Sequence, residues 1–114
     1  MMQAVERFSA LASPARLAVF RLLVQAGVNG VRAGDVAEAI AAPANTTSNH
    51  LAVLSRAGLI QARRDGRSIV YSADYDATRD LIGYLIEDCC AGRPEVCAPM
   101  IDAARRACCT PVSA

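Results

Sequence analysis

The chain has 114 residues, 54% of them hydrophobic, which is enough for one buried core and too little for two. Its formal net charge of +1 hides an uneven layout: Arg56 to Arg67 holds four Arg against Asp65, while Asp74 to Asp102 holds seven acidic residues against Arg79 and Arg93. Met1 to Phe8 lacks the apolar run of a signal peptide, and Leu17 to Val24 is interrupted by Arg21 and too short for a bilayer, so the expected location is the cytoplasm, with no membrane partner.

Val5, Phe8 and Leu11 recur at helical spacing and predict a short first helix. Ser13-Pro14 predicts the start of a second, with Ser as N-cap and Pro at the first helical position. Leu17, Phe20, Leu23 and Val24 are its expected apolar face, and Gly27 suits its stop. Ala33 to Ile40 predicts a third helix, with Val36, Ala37 and Ile40 inward, and Ala41 to Ala44 a turn. Asn45 is the expected cap of a fourth helix ending near Arg56, with Ser48, Leu51 and Leu54 inward and Thr46, Thr47, Asn49, His50 and Val53 more exposed. Two strands are expected at Leu59 to Arg63 and Ser68 to Ala73, with Asp65-Gly66 supplying the positive backbone angles of a tight hairpin. The last long helix, Asp76 to Asp88, is apolar around nearly its whole circumference through Leu81, Ile82, Tyr84, Leu85 and Ile86. Such a helix must be buried on two sides, and in so small a protein the second side implies another subunit. Residues 1–97 are thus read as one domain and residues 98–114 as a tail, with a short helix presenting Met100, Ile101 and Ala104 before a disordered end.

The fold class is mainly α with a small β-hairpin. Two short helices joined by a turn, then a hairpin with arginines at its tip, form the layout of a winged helix-turn-helix. The slim, polar fourth helix suits the major groove, where Thr46, Thr47, Ser48, Asn49 and His50 offer donors and acceptors, with Arg56 at its end. Arg64 and Arg67 flank the hairpin tip and can reach phosphates or the minor groove. All twelve basic residues are Arg, which suits bidentate contacts to phosphate or guanine, although genome composition alone also accounts for that usage.

Four segments, in order, carry a family resemblance: Ala10-Leu11-Ala12-Ser13-Pro14-Ala15-Arg16-Leu17, Ser48-Asn49-His50-Leu51-Ala52-Val53-Leu54, Ala57-Gly58-Leu59-Ile60, and Asp65-Gly66-Arg67 with Tyr71. They resemble the arsenical-resistance (ArsR/SmtB) repressor family over about residues 5–88. The resemblance implies a homodimer joined by its first and last helices, which binds operator DNA when ligand-free and leaves it when an inducer binds.

The candidate sensor is the thiol cluster Cys89, Cys90 and Cys97. Thiolate-only donors select soft ions, whereas zinc sites draw on four ligands of mixed type. A family sensor site of the Cys-x-Cys kind has no counterpart in Val31 to Ala37, and a His-and-carboxylate zinc site lacks its His, since His50 is the single histidine. Asp88 to Cys97 is similar to the C-terminal arsenite site of some arsenic repressors. On an unbroken helix Cys90 and Cys97 would lie about 10 Å apart along the axis, so the spacer must turn, as Gly92 and Pro94 permit. Trivalent arsenic takes three thiolates in a pyramid. As(III) is therefore the expected inducer, with Sb(III) or a trivalent methylated arsenical as alternatives and no catalytic cofactor. Cys108 and Cys109 are possible accessory thiols. A second reading keeps the scaffold and makes the cysteines a redox switch. A thiol enzyme is not expected, because no C-x-x-C or phosphate-cradling Cys-x5-Arg pattern is present.

Overall fold

The computed structural model describes residues 2–87 and 93–109, the last two through their backbone alone. Two compact units result, Met1–Ile82 and Gly83–Ala114. The chain forms α1 (Met2–Leu11), α2 (Pro14–Ala26), β1 (Val31–Arg32), α3 (Ala33–Ala39), α4 (Ala44–Arg56), β2 (Ile60–Asp65), β3 (Ser68–Ala73), α5 (Tyr75–Ile86) and α6 (Pro94–Cys109).

Ser13 caps α2 as its sequence predicts: its backbone is extended, its Oγ accepts the Arg16 N–H at 3.4 Å, and Pro14 takes the first helical position. The buried arc of α2 is Val19, Phe20 and Leu23, whereas Leu17 and Val24, expected inside, are 44% and 36% exposed. Val19 and Leu23 stand one turn apart with Phe20 beside them, so the arc turns away from Leu17 and Val24. Arg16 closes the preceding helix, donating from Nε to the Ala10 carbonyl at 2.6 Å and from Nη2 to that of Ser9 at 3.5 Å. Helix α1 meets the core through Ala10, while Val5 and Phe8 remain exposed. Around Val19 and Leu23 pack Val36, Leu51, Leu54, Leu59, Ile60 and Leu81, so every element of the first unit except β1 sends a buried apolar side chain into the cluster, α1 and β3 through Ala10 and Ala73.

The hairpin is one strand short of the whole sheet, whose order is β1-β3-β2 with both pairings antiparallel. Asp65 pairs with Ser68, so the loop is Gly66-Arg67, and of the expected Asp65-Gly66 pair only Gly66 takes a positive φ, of 63°. Asp65 is instead the last residue of β2 and meets Arg32 of β1 at 3.7 Å. The added strand pairs Val31 with Tyr71 and Arg32 with Val70. Gly30 makes that approach possible: its φ is 78°, and a Cβ there would strike the Tyr71 carbonyl and lie 2.8 Å from Val70 Cγ1.

Helix α4 starts at Ala44 behind Pro43, which supplies no side-chain cap. Asn45 is therefore inside the first turn, not the cap expected of it, and its Oδ1 accepts the neighbouring Thr46 N–H at 2.9 Å. At the start of α5 the cap is Asp74, which accepts the Ala77 N–H at 3.0 Å through Oδ1 and the Thr78 hydroxyl at 2.9 Å through its carbonyl. Ala77 and Leu81 of α5 are buried, whereas Ile82 and Tyr84 are 53% and 45% exposed. In the second unit α6 begins at Pro94, ahead of the helix predicted from Ala98, so the expected boundary after Cys97 falls inside a helix. Arg93 stays outside the helix, as a residue before proline is expected to, and at the first helical position the fixed φ of Pro94 starts α6.

Candidate nucleic-acid interface

The inner face of α4 is Thr47, Leu51 and Leu54, spaced i, i+4, i+7. This corrects two expectations together: Thr47 is only 1% exposed, while Ser48 is exposed. A buried threonine needs a partner for its hydroxyl, and Thr47 Oγ1 donates to the Pro43 carbonyl at 3.0 Å. Its hydroxyl is thus spent within the helix and is withdrawn from the groove-facing set.

Opposite that face lie Asn45, Asn49, Ala52 and Arg56, spaced i, i+4, i+7, i+11 and all exposed. Two amides sit one turn apart at the helix's N-terminal half, small Ala52 leaves clearance, and a guanidinium ends the row. Thr46 and Ser48 flank the row and are exposed, and His50 is half-buried beside it. Reading Asn45 as a cap hides its outward position, and its spacing of four from Asn49 is the sequence signal that reveals it. Arg56 also borders an open cleft between α1 and α4, with Glu6, Ser9 and Arg16.

In the hairpin the arginines divide by role. Arg63 pairs across from Val70 and donates to the Asn29 carbonyl at 3.4 Å, which ties the wing to the loop before β1. Arg64 lies on the other face, across from Ile69, and Arg67 stands in the loop; both are exposed, and among the described residues neither is bound in an ion pair. Both can therefore meet phosphates without first breaking a protein contact.

At the wing base, Asp74 also accepts from Gln61 Nε2 at 3.1 Å. The Ala77 amide first, then the Gln61 amide, hold its carboxyl below the usual value of 3.8, against a smaller opposing effect of burial.

Of the candidate thiols, Cys89 and Cys90 lie outside the described residues, as do the side chains of Cys108 and Cys109. Cys97 is half-buried in the first turn of α6, its Sγ 3.9 Å from the Pro94 carbonyl. Among the described residues no three His, Cys, Asp or Glu side chains gather as metal ligands. The donor chemistry of the chain fits a thiophilic ion, since the segment from Cys89 to Cys97 offers sulfur and no imidazole. Among the described residues no helix is long and apolar enough to cross a membrane.

A family described as a helix-turn-helix domain matches residues 11–61. The Escherichia coli HTH-type transcriptional regulator YgaV is 34% identical over 83 residues, covering 73% of this chain and 82% of its own length. Among solved structures, the homodimeric winged helix-turn-helix DNA-binding domain Mb0332 from Mycobacterium bovis, a possible ArsR-family regulator, is 29% identical with a TM-score of 0.62, over 74% of this chain and 76% of that one. A possible transcriptional regulator for arsenical resistance is 28% identical with a TM-score of 0.61, over 70% and 80% of the two chains. The three-stranded sheet, the α3–α4 pair and these likenesses agree, and the chain belongs to the winged helix-turn-helix transcriptional regulators of the ArsR family.

Proposed function

We propose that this chain is a homodimeric repressor that holds operator DNA when ligand-free and releases it when trivalent arsenic, or antimony, is taken by Cys89, Cys90 and Cys97. The observation that carries the DNA half is the exposed row Asn45, Asn49 and Arg56, set on a helix whose opposite face is locked into the core, with Arg64 and Arg67 left open on the wing. The amides and Arg56 address base edges and adjacent phosphates, and the wing arginines address the backbone. Exposed Val5 and Phe8 on α1 and Ile82 on α5 supply apolar surface for a second copy, and the M. bovis neighbour is a homodimer.

The sensor half is supported by sulfur chemistry. Cys89 and Cys90 follow α5 by a few residues, and Cys97 lies in the first turn of the next helix. Three thiolates provide a complete donor set for a pyramidal trivalent metalloid. Drawing them together constrains the chain beyond α5, and a coupling of about 1–3 kcal/mol corresponds to a roughly 5–150-fold loss of DNA affinity.

Fluorescence anisotropy on the protein's own upstream DNA tests this, with reduced protein titrated with arsenite and with zinc and peroxide in parallel. Release near stoichiometric arsenite is expected, and Cys89→Ser, Cys90→Ser and Cys97→Ser should each abolish release while leaving DNA binding intact. Wild-type release in those variants sinks the site assignment. Release by peroxide without metalloid would replace it with the redox reading.

A further inference from the structure

One half-buried arginine joins the elements that the proposed function needs to move together. Arg7 projects from α1 and donates from Nε to the carbonyl of Ala57, the residue that ends the recognition helix α4, at 3.2 Å. From Nη1 it donates to the carbonyl of Ala77, in the first turn of α5, at 3.4 Å. The same guanidinium lies over Gly58, where a Cβ would come within 3.4 Å of Nη2. Beside it the chain enters the wing: the Asp74 N–H donates to the Leu59 carbonyl at 2.9 Å, and the Asp74 carboxylate holds both Ala77 of α5 and Gln61 of β2. The base of the recognition helix, the root of the wing and the start of α5 therefore meet at one polar junction, clamped by a side chain from α1.

A planar, permanently charged guanidinium can hold two carbonyls on different helices at once, which an ammonium cannot do in the same geometry. Charged donors to backbone carbonyls are also among the stronger hydrogen bonds. We propose that Arg7 is the positioning residue that fixes the recognition helix relative to α5, and so transmits a change at the far end of α5 to the DNA-reading surface. This rests on the reading of the chain as a ligand-released repressor, but only in part, because a fixed helix attitude also sets which spacing of DNA half-sites a dimer accepts.

Two variants test it, Arg7→Met and the milder Arg7→Lys, which keeps the charge and most of the stem. Each is measured by anisotropy on the natural operator and on one lengthened by a base pair between half-sites, with and without arsenite. Wild-type protein should discriminate against the lengthened site. The variants should lose that discrimination, and their arsenite response should fall, by on the order of tenfold each. A role in stability alone would weaken binding to both operators alike and leave both ratios at wild-type values, which would overturn the proposal. If wild-type protein itself ignores arsenite, the sensor reading falls, and the spacing ratio alone decides the role of Arg7.

Discussion

Removing the Asp74 side chain separates a capping role from a bystander charge. Its Oδ1 satisfies the Ala77 N–H at 3.0 Å, and loss of a helix cap costs about 1 kcal/mol. The bond from Gln61 at 3.1 Å is exposed, so its loss adds a few tenths to about 1 kcal/mol. Asp74→Ala should therefore destabilise the first unit by about 1–2 kcal/mol, a fall in Tm of roughly 5–10 °C. The sign of the pH dependence follows from the lowered carboxyl. A folded-state pKa below the unfolded value of 3.8 stabilises the fold above that value, and this contribution is lost as pH falls through the folded value. Asp74→Asn keeps a good cap without a titrating charge, so it should sit near wild type at pH 7 and lack this component of the acid response. Thermal melts followed by far-UV circular dichroism at about pH 7 and about pH 2 read both effects, the remaining carboxylates being common to all three proteins. An Asp74→Ala melt within a degree of wild type at neutral pH would refute the reasoning. So would a gap equally wide in acid.

Thr47→Val should leave DNA affinity within about twofold, because the hydroxyl reaches only the Pro43 carbonyl, which the Thr47 amide also engages at 2.9 Å; Asn49→Ala should cost about 1–3 kcal/mol of discrimination on the operator. Competition between operator and base-substituted duplexes compares the two. Arg64→Ala should flatten the dependence of log affinity on log salt by roughly 0.9 if the side chain neutralises one phosphate; an unchanged slope would remove it from the backbone contacts. Gly30→Ala should destabilise by about 2–5 kcal/mol, adding a left-handed backbone to a collision with β3. Gly34→Ala, in α3 with open space around it and no positive φ, should instead be neutral or stabilising by up to about 1 kcal/mol. The denaturant midpoint should fall for Gly30→Ala and hold or rise for Gly34→Ala.

What the sequence made legible was governed by local chemistry. Ser13-Pro14 needs only its own neighbours to start α2, and Gly66 only its own backbone to turn the hairpin. Those elements fell where the residues put them. The misreadings arose where a tertiary neighbour decides. Thr47 and Ser48 are adjacent and similar, and which one faces inward is set by where Leu51 and Leu54 find the core. A strand of two residues has no periodicity to read, and β1 exists because β3 offers it an edge. Arg7 acts on carbonyls 50 and 70 residues away, so no window of sequence contains its partners, whereas Asp74 caps α5 through Ala77 three residues on and crosses the chain only to Gln61. Of the candidate site, Arg64 and Arg67 of the wing and Asn49 and Arg56 of the recognition row could be named from sequence, whereas the separation of Arg63 from Arg64 required the sheet register.

The way α4 is anchored also bears on how regulators of this kind diversify. Thr47, Leu51 and Leu54 fix the helix's position and rotation, while Asn45, Thr46, Ser48, Asn49, Ala52 and Arg56 are exposed. Exchanges at exposed positions usually alter stability by less than about 0.5 kcal/mol. The vocabulary with which the protein addresses its operator can then be rewritten one residue at a time, by drift after gene duplication or by an engineer, on a scaffold that has no stake in the outcome.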